Sequence, residues 1–115
     1  TDAEAVAAPG NRSAVLGVGE YLDYDVSELS MIVCTRGAGD IHLHGFSGGV
    51  DYQTIRFVPI GWSNDLFVYH SSDVEGVDQA IATFTLADES IPAYKNGGFT
   101  MVCLNDVWHM DIHLE

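Results

Sequence analysis

His42 and His44 stand two residues apart in Asp40-Ile41-His42-Leu43-His44, and His109, Asp111 and His113 repeat that spacing near the end of the chain. Residues two apart on a strand point to the same side, so each set offers metal ligands facing one way. Neutral imidazole with carboxylate suits Zn, Fe, Ni or Cu, and if the two strands lay side by side they would build a three- or four-ligand centre. The plainer alternative is a set of surface histidines on polar strand faces. Covalent catalysis has less to draw on. Ser71, Ser72 and Asp73 follow His70, but neighbours in sequence do not make a triad and there is no nucleophile elbow. Asp23 with Asp25, and Asp88 with Glu89, have the chemistry of calcium ligands or acid–base pairs, yet a chain this acidic supplies such pairs as ordinary solvated residues.

The elements that must position these groups are strands. Short runs rich in β-branched and aromatic residues, each closed by Gly, Asn, Asp or Ser, predict strands at about 13–18, 29–36, 39–45, 53–59, 65–71, 80–86, 98–104 and 107–114. Their number and spacing predict an all-β chain: a single-domain, jelly-roll-like β-sandwich over residues 13–115 with a short extended N-terminal arm over residues 1–12. Residues 20–28 are read as a loop or a further edge strand, whose acidic side chains discourage pairing. His44-Gly45-Phe46-Ser47-Gly48-Gly49-Val50-Asp51 reads as a tight, exposed connection, and its glycines fit no phosphate-binding loop. Leu104-Asn105-Asp106-Val107 reads as a two-residue hairpin turn.

Alternation sorts the faces. Trp108, Met110, Ile112 and Leu114 are assigned to the core, with His109, Asp111 and His113 facing solvent or a partner subunit. Ile41 and Leu43 lie opposite His42 and His44; Phe67 and Tyr69 lie opposite Leu66, Val68 and His70; Ile55 and Phe57 lie opposite Thr54, Arg56 and Val58.

The 115 residues suffice for one core. Seventeen acidic residues against four basic ones give a net charge of −13, which repels phosphate and argues against nucleic acid and anionic membranes as partners. The same charge keeps crowded copies soluble, as a saline setting would require. Cys34 and Cys103 sit in apolar runs and read as buried free thiols, with a disulfide open only if their strands adjoin. No apolar run has the length of a membrane span and no signal-peptide pattern opens the chain, so a soluble protein is expected. Asn11-Arg12-Ser13 matches a glycosylation sequon that matters only in a secretory setting. Tyr21, Tyr24, Tyr52, Trp62, Tyr69 and Tyr94 could stack on sugars or anchor an interface; Trp62, in a loop, is the foremost candidate for exposure, the alternative being a plug over the open end of the sandwich.

Gly39-Asp40-Ile41-His42-Leu43-His44 resembles the His-x-His motif of the cupins, and Pro59-Ile60-Gly61 resembles their Pro-x-Gly, although the glutamate and the later histidine of that family are missing. From about Gly37 onward the chain also resembles a β-rich module of tailed-phage virion proteins. The resemblance is carried by Phe46-Ser47-Gly48-Gly49-Val50-Asp51, Gln53-Thr54-Ile55-Arg56-Phe57, Phe67-Val68-Tyr69-His70-Ser71-Ser72, Ala82-Thr83-Phe84, Ile91-Pro92, and Phe99-Thr100-Met101-Val102 with Val107-Trp108-His109. It implies a virion structural protein without enzymatic activity or cofactor. A capsid decoration protein is the favoured kind: a homotrimer on the outer capsid surface, bound to the major capsid protein. Its expected contact residues include Thr1, Asp2 and Arg12 of the arm, and Trp62. Two alternatives stand beside it: a receptor- or glycan-binding tail-fibre tip using Trp62, and a small cupin-like metal-binding enzyme using His42 and His44.

Overall fold

Alternate residues are buried along most of the longer strands, as a sheet with one face on a core requires. In Phe99–Leu104 the residues Phe99, Met101 and Cys103 are buried; in Leu29–Thr35 Ile32 and Cys34 alternate, while Leu29, three residues before Ile32, lies across a register shift in the pairing of this strand. A computed structural model describes residues 12–35, 39–60, 65–83, 86–91 and 98–110. In chain order the strands are β1 (Arg12–Leu16), β2 (Gly19–Tyr21), β3 (Tyr24–Asp25), β4 (Leu29–Thr35), β5 (Ile41–Leu43), β6 (Gly45–Ser47), β7 (Thr54–Ile60), β8 (Leu66–Val68), β9 (Gln79–Ala82), β10 (Glu89–Ile91), β11 (Phe99–Leu104) and β12 (Val107–Met110). No helix occurs among the described residues. The chain is all-β.

The pairing departs from the expected jelly roll. Strands β1, β4 and β7 run parallel, as do β2, β5 and β8, and β3 runs parallel to β6. A jelly roll is built from antiparallel Greek keys; here the chain instead winds in successive coils, each laying one strand on each of three faces, which is the pairing of a β-solenoid. The third coil breaks the pattern when β9 turns antiparallel to β6. The hairpin β11–β12 then bridges β7 to β9, and β10 adds to β8 antiparallel. The result is an eight-stranded sheet, β1-β4-β7-β11-β12-β9-β6-β3, and a four-stranded one, β10-β8-β5-β2. The first coil lies at a sheet edge on all three faces.

Inside, side chains stack from coil to coil. Leu16, Cys34 and Pro59 are register partners across β1, β4 and β7; Ile32, Phe57 and Phe99 are register partners across β4, β7 and β11. The Phe57 and Phe99 rings stack with centroids 5.0 Å apart, and Phe46 meets Trp108 edge to face at 5.8 Å. Phe46 sits in the stretch expected to be an exposed connection, but it is fully buried on β6. Gly45 makes that possible: a Cβ there would meet the Gln79 carbonyl oxygen at 2.6 Å and Val77 Cγ1 at 2.7 Å. Only a residue without a side chain lets β6 pass this corner. The expected turn at Asn105-Asp106 is present, with φ of 52° and 65°, both left-handed as a type I′ hairpin demands.

Cys34 and Cys103 are buried free thiols on β4 and β11, with β7 between those strands. Burial pushes the Cys103 thiol above its ordinary value, with the Asp51 charge adding to it. Of the expected arm, Arg12 is described and opens β1; residues 1–11 lie outside the described residues.

Candidate functional site

The histidine pair lies on the outward face of the four-stranded sheet. In β5, Ile41 and Leu43 are fully buried, so His42 between them points outward, as alternation requires. Its register partners are Glu20 on β2 and Phe67 on β8. His44 follows on the same side, but packing covers it and leaves it 8% exposed.

The aromatic residues of β8 and the segment after it fill the space around both imidazoles. His42 stacks on Phe67 with ring centroids 4.9 Å apart and His44 stacks on Tyr69 at 4.2 Å, the rings of both pairs nearly parallel. The Tyr69 hydroxyl lies 2.7 Å from His42 Nδ1, and Ser72 Oγ lies 2.9 Å from His44 Nδ1. Burial raises the Tyr69 phenol above its ordinary value, and the charges of Asp88, Glu20 and Asp40 raise it further. The arrangement is a small aromatic ladder with an acidic rim, in which both imidazole Nδ1 atoms are hydrogen-bonded to neighbouring hydroxyls.

Of the expected metal ligands, His42 and His44 do not come together with His109. His109 is exposed on β12, whose neighbours are β11 and β9, whereas β5 lies between β2 and β8 in the other sheet. The two histidine strands are therefore not adjacent. Asp111 and His113 lie outside the described residues, as do Thr1, Asp2 and Trp62. Among the described residues no group of three or more His, Cys, Asp or Glu side chains converges as a metal site. The Nδ1 of His70 is also engaged, accepting the Thr83 backbone N–H at 3.1 Å, while the His70 backbone N–H donates to Asp88 Oδ1 at 2.8 Å. Arg12 is 3.4 Å from Glu28 in an exposed pair, an arrangement worth little in stability.

A second surface was not singled out from the sequence. The outward side of β1, β4 and β7 carries a register row Val15–Val33–Val58, flanked by Ser13–Met31–Arg56. Val15 is 66% exposed and Met31 41%. In a chain with seventeen acidic residues, β1, β4, β7 and β11 contain none, and Arg12 and Arg56 are two of its four basic residues. The signal in the sequence was the absence of Asp and Glu from four apolar runs. It becomes a surface only when parallel pairing sets those runs side by side.

No protein-family model matches the chain, and neither a curated protein nor a solved structure matches it.

Proposed function

We propose that the chain is a virion structural protein that acts by surface contact, of the capsid-decoration kind: a homotrimer on the outer capsid surface, bound to the major capsid protein. What supports this reading is the acid-free apolar face of β1, β4 and β7, together with the resemblance of the stretch from Gly37 onward to virion β-modules. Two copies of a chain with charge −13 repel one another wherever acidic surface meets acidic surface. The face with Val15, Met31, Val33 and Val58 avoids that cost and offers apolar area to bury. The outward charge that remains faces solvent, where neighbouring assemblies stand apart.

In this reading the subunits associate through that face and clamp capsomer junctions. Each contact stabilises the assembled shell because it favours only the assembled state. Several contacts per trimer multiply the effect. The arm before β1 orders on the capsid or on a neighbouring subunit.

The test is the mass in solution at physiological salt, by sedimentation equilibrium. A trimer that falls to monomer in the double variant Val15→Glu, Met31→Glu is the expected result. A wild-type monomer at high concentration would remove self-association from the reading. Purified capsids lacking the protein should take up wild type and not the double variant; equal uptake would show that this face is not the one used.

A further inference from the structure

The corner where the chain passes from the third face back to the first holds a groove of about 460 Å³, lined by Ser27, Glu28, Gly48, Val50, Asp51, Tyr52 and Gln53. It is built from two successive coils: residues 27 and 28 precede β4, and residues 48–53 precede β7. Tyr52 is 79% exposed and Val50 is 65% exposed. Both side chains line the groove, so it carries an exposed tyrosine and an exposed valine.

The groove is held rigidly. Tyr52 has φ of 72° and Glu28 has φ of 63°, so two of the groove's residues occupy the left-handed region that non-glycine residues rarely enter. The Tyr52 N–H donates to the Cys103 carbonyl at 2.7 Å, which ties the tip to β11. Asp51 Oδ1 accepts the Asn105 N–H at 2.9 Å, tying it to the hairpin. Gln53 braces the floor, its Nε2 donating to the carbonyls of Val26 and Leu29 at 2.8 and 2.9 Å and its Oε1 accepting from Val50 N at 3.1 Å. Gly48, with φ of 79°, lies so close that a Cβ would meet Ser27 Oγ at 2.4 Å. The ring is thus carried on fixed backbone, so a ligand that meets it need not order the loop.

The chemistry of the lining selects the ligand. Among the described residues its charged lining groups are the carboxylates of Glu28 and Asp51, with Arg12 reaching only Glu28 from outside the lining, so phosphate, sulfate and acidic sugars are disfavoured. One oxygen of each carboxylate is engaged, Glu28 Oε1 by Arg12 and Asp51 Oδ1 by Asn105, which leaves Oε2 and Oδ2 to accept. Carboxylate acceptors and an exposed aromatic side chain along one groove match a pyranose, whose C–H face stacks on a ring while its hydroxyls donate. We infer that this groove is a binding site for a neutral oligosaccharide, with Tyr52 as the stacking residue and Glu28 and Asp51 as hydroxyl acceptors. The inference does not rest on the self-association reading, since the groove lies outside the Val15–Val33–Val58 row.

The test is a titration of the ¹⁵N-labelled protein with maltohexaose, cellohexaose and chitohexaose, with sialyllactose as the acidic control and decalysine as a cationic one. At least one neutral hexasaccharide should saturably shift the amides of Ser27, Glu28 and residues 48–53, and sialyllactose should not. Tyr52→Phe should keep that affinity, while Tyr52→Gly should weaken it about tenfold or more, the loss of one stacking contact. Because glycine accepts the left-handed backbone without strain, Tyr52→Gly should not lower the thermal midpoint, so lost binding is not lost folding. The site is overturned if no hexasaccharide binds by about 10 mM, the weak end of measurable affinity. Shifts that lie elsewhere, or equal binding by Tyr52→Gly, overturn it too. Decalysine moving the groove amides when no sugar does would assign the groove to a cationic partner instead.

Discussion

Gln79 is the polar residue on which the interior most depends. It is 5% exposed, and its amide makes four hydrogen bonds: Oε1 accepts from Trp108 Nε1 at 3.1 Å and from Gly49 N at 3.0 Å, and Nε2 donates to Gly49 O at 3.0 Å and Asp106 Oδ1 at 3.1 Å. One side chain thus ties β9 to β12, to the hairpin turn and to the bend after β6. Gln79→Leu keeps the approximate volume but strands the Trp108 N–H and the backbone groups of Gly49. A loss of about 2–3 kcal/mol is expected from those unsatisfied groups, measured by urea unfolding; a loss below ~0.5 kcal/mol would mean that water replaces the amide. Nothing in the sequence around Gln79 announces this role. Its partners lie about 30 residues away on either side, and only folding brings them to one point.

At the scale of the strand, alternation was readable wherever one face is buried. Ile41 and Leu43, Leu66 and Val68, Ile55 and Phe57, and Trp108 and Met110 are core residues as their spacing required. Strands β2 and β3 lie at sheet edges, one of the two readings that residues 20–28 allow, whereas β6 buries Gly45 and Phe46 in succession, so no alternation marks it and its stretch reads as a connection. β7 is the strand where the two modes of pairing meet, parallel to β4 and antiparallel to β11. Phe57→Ala there removes the ring stacked on Phe99 and should cost about 3–5 kcal/mol. Val15→Ala, on the exposed side of β1, should cost within about 0.5 kcal/mol when measured on the dissociated subunit. Chemical denaturation of the pair checks both, and equal losses would contradict the inward and outward assignment of these faces.

For the whole molecule the dominant long-range term is the charge of −13. Among the described residues one ion pair, Arg12 with Glu28, is close enough to offset any of it, and that pair is exposed. Salt should therefore stabilise the fold. Raising NaCl from about 20 to 500 mM shortens the screening length from roughly 20 Å to about 4 Å. A gain of about 1 kcal/mol would raise the thermal midpoint by about 4–8 °C. Scanning calorimetry across that range tests it, and a midpoint that stays flat or falls would show that self-repulsion is not limiting stability.

The amino-acid pattern by itself determined the all-β class, the inward residues of the longer strands, the type of the Asn105-Asp106 turn and the charge, because each depends on near neighbours or on totals. Tertiary structure decided which strands adjoin. Leu16, Cys34 and Pro59 form one column although the chain lengths between them differ, so no fixed repeat marked the coils, and alternation alone fits parallel and antiparallel partners equally well. That choice of partner separated His42 and His44 from His109. It also set four acid-free runs side by side and brought Glu28 and Tyr52, from successive coils, to the two sides of one groove.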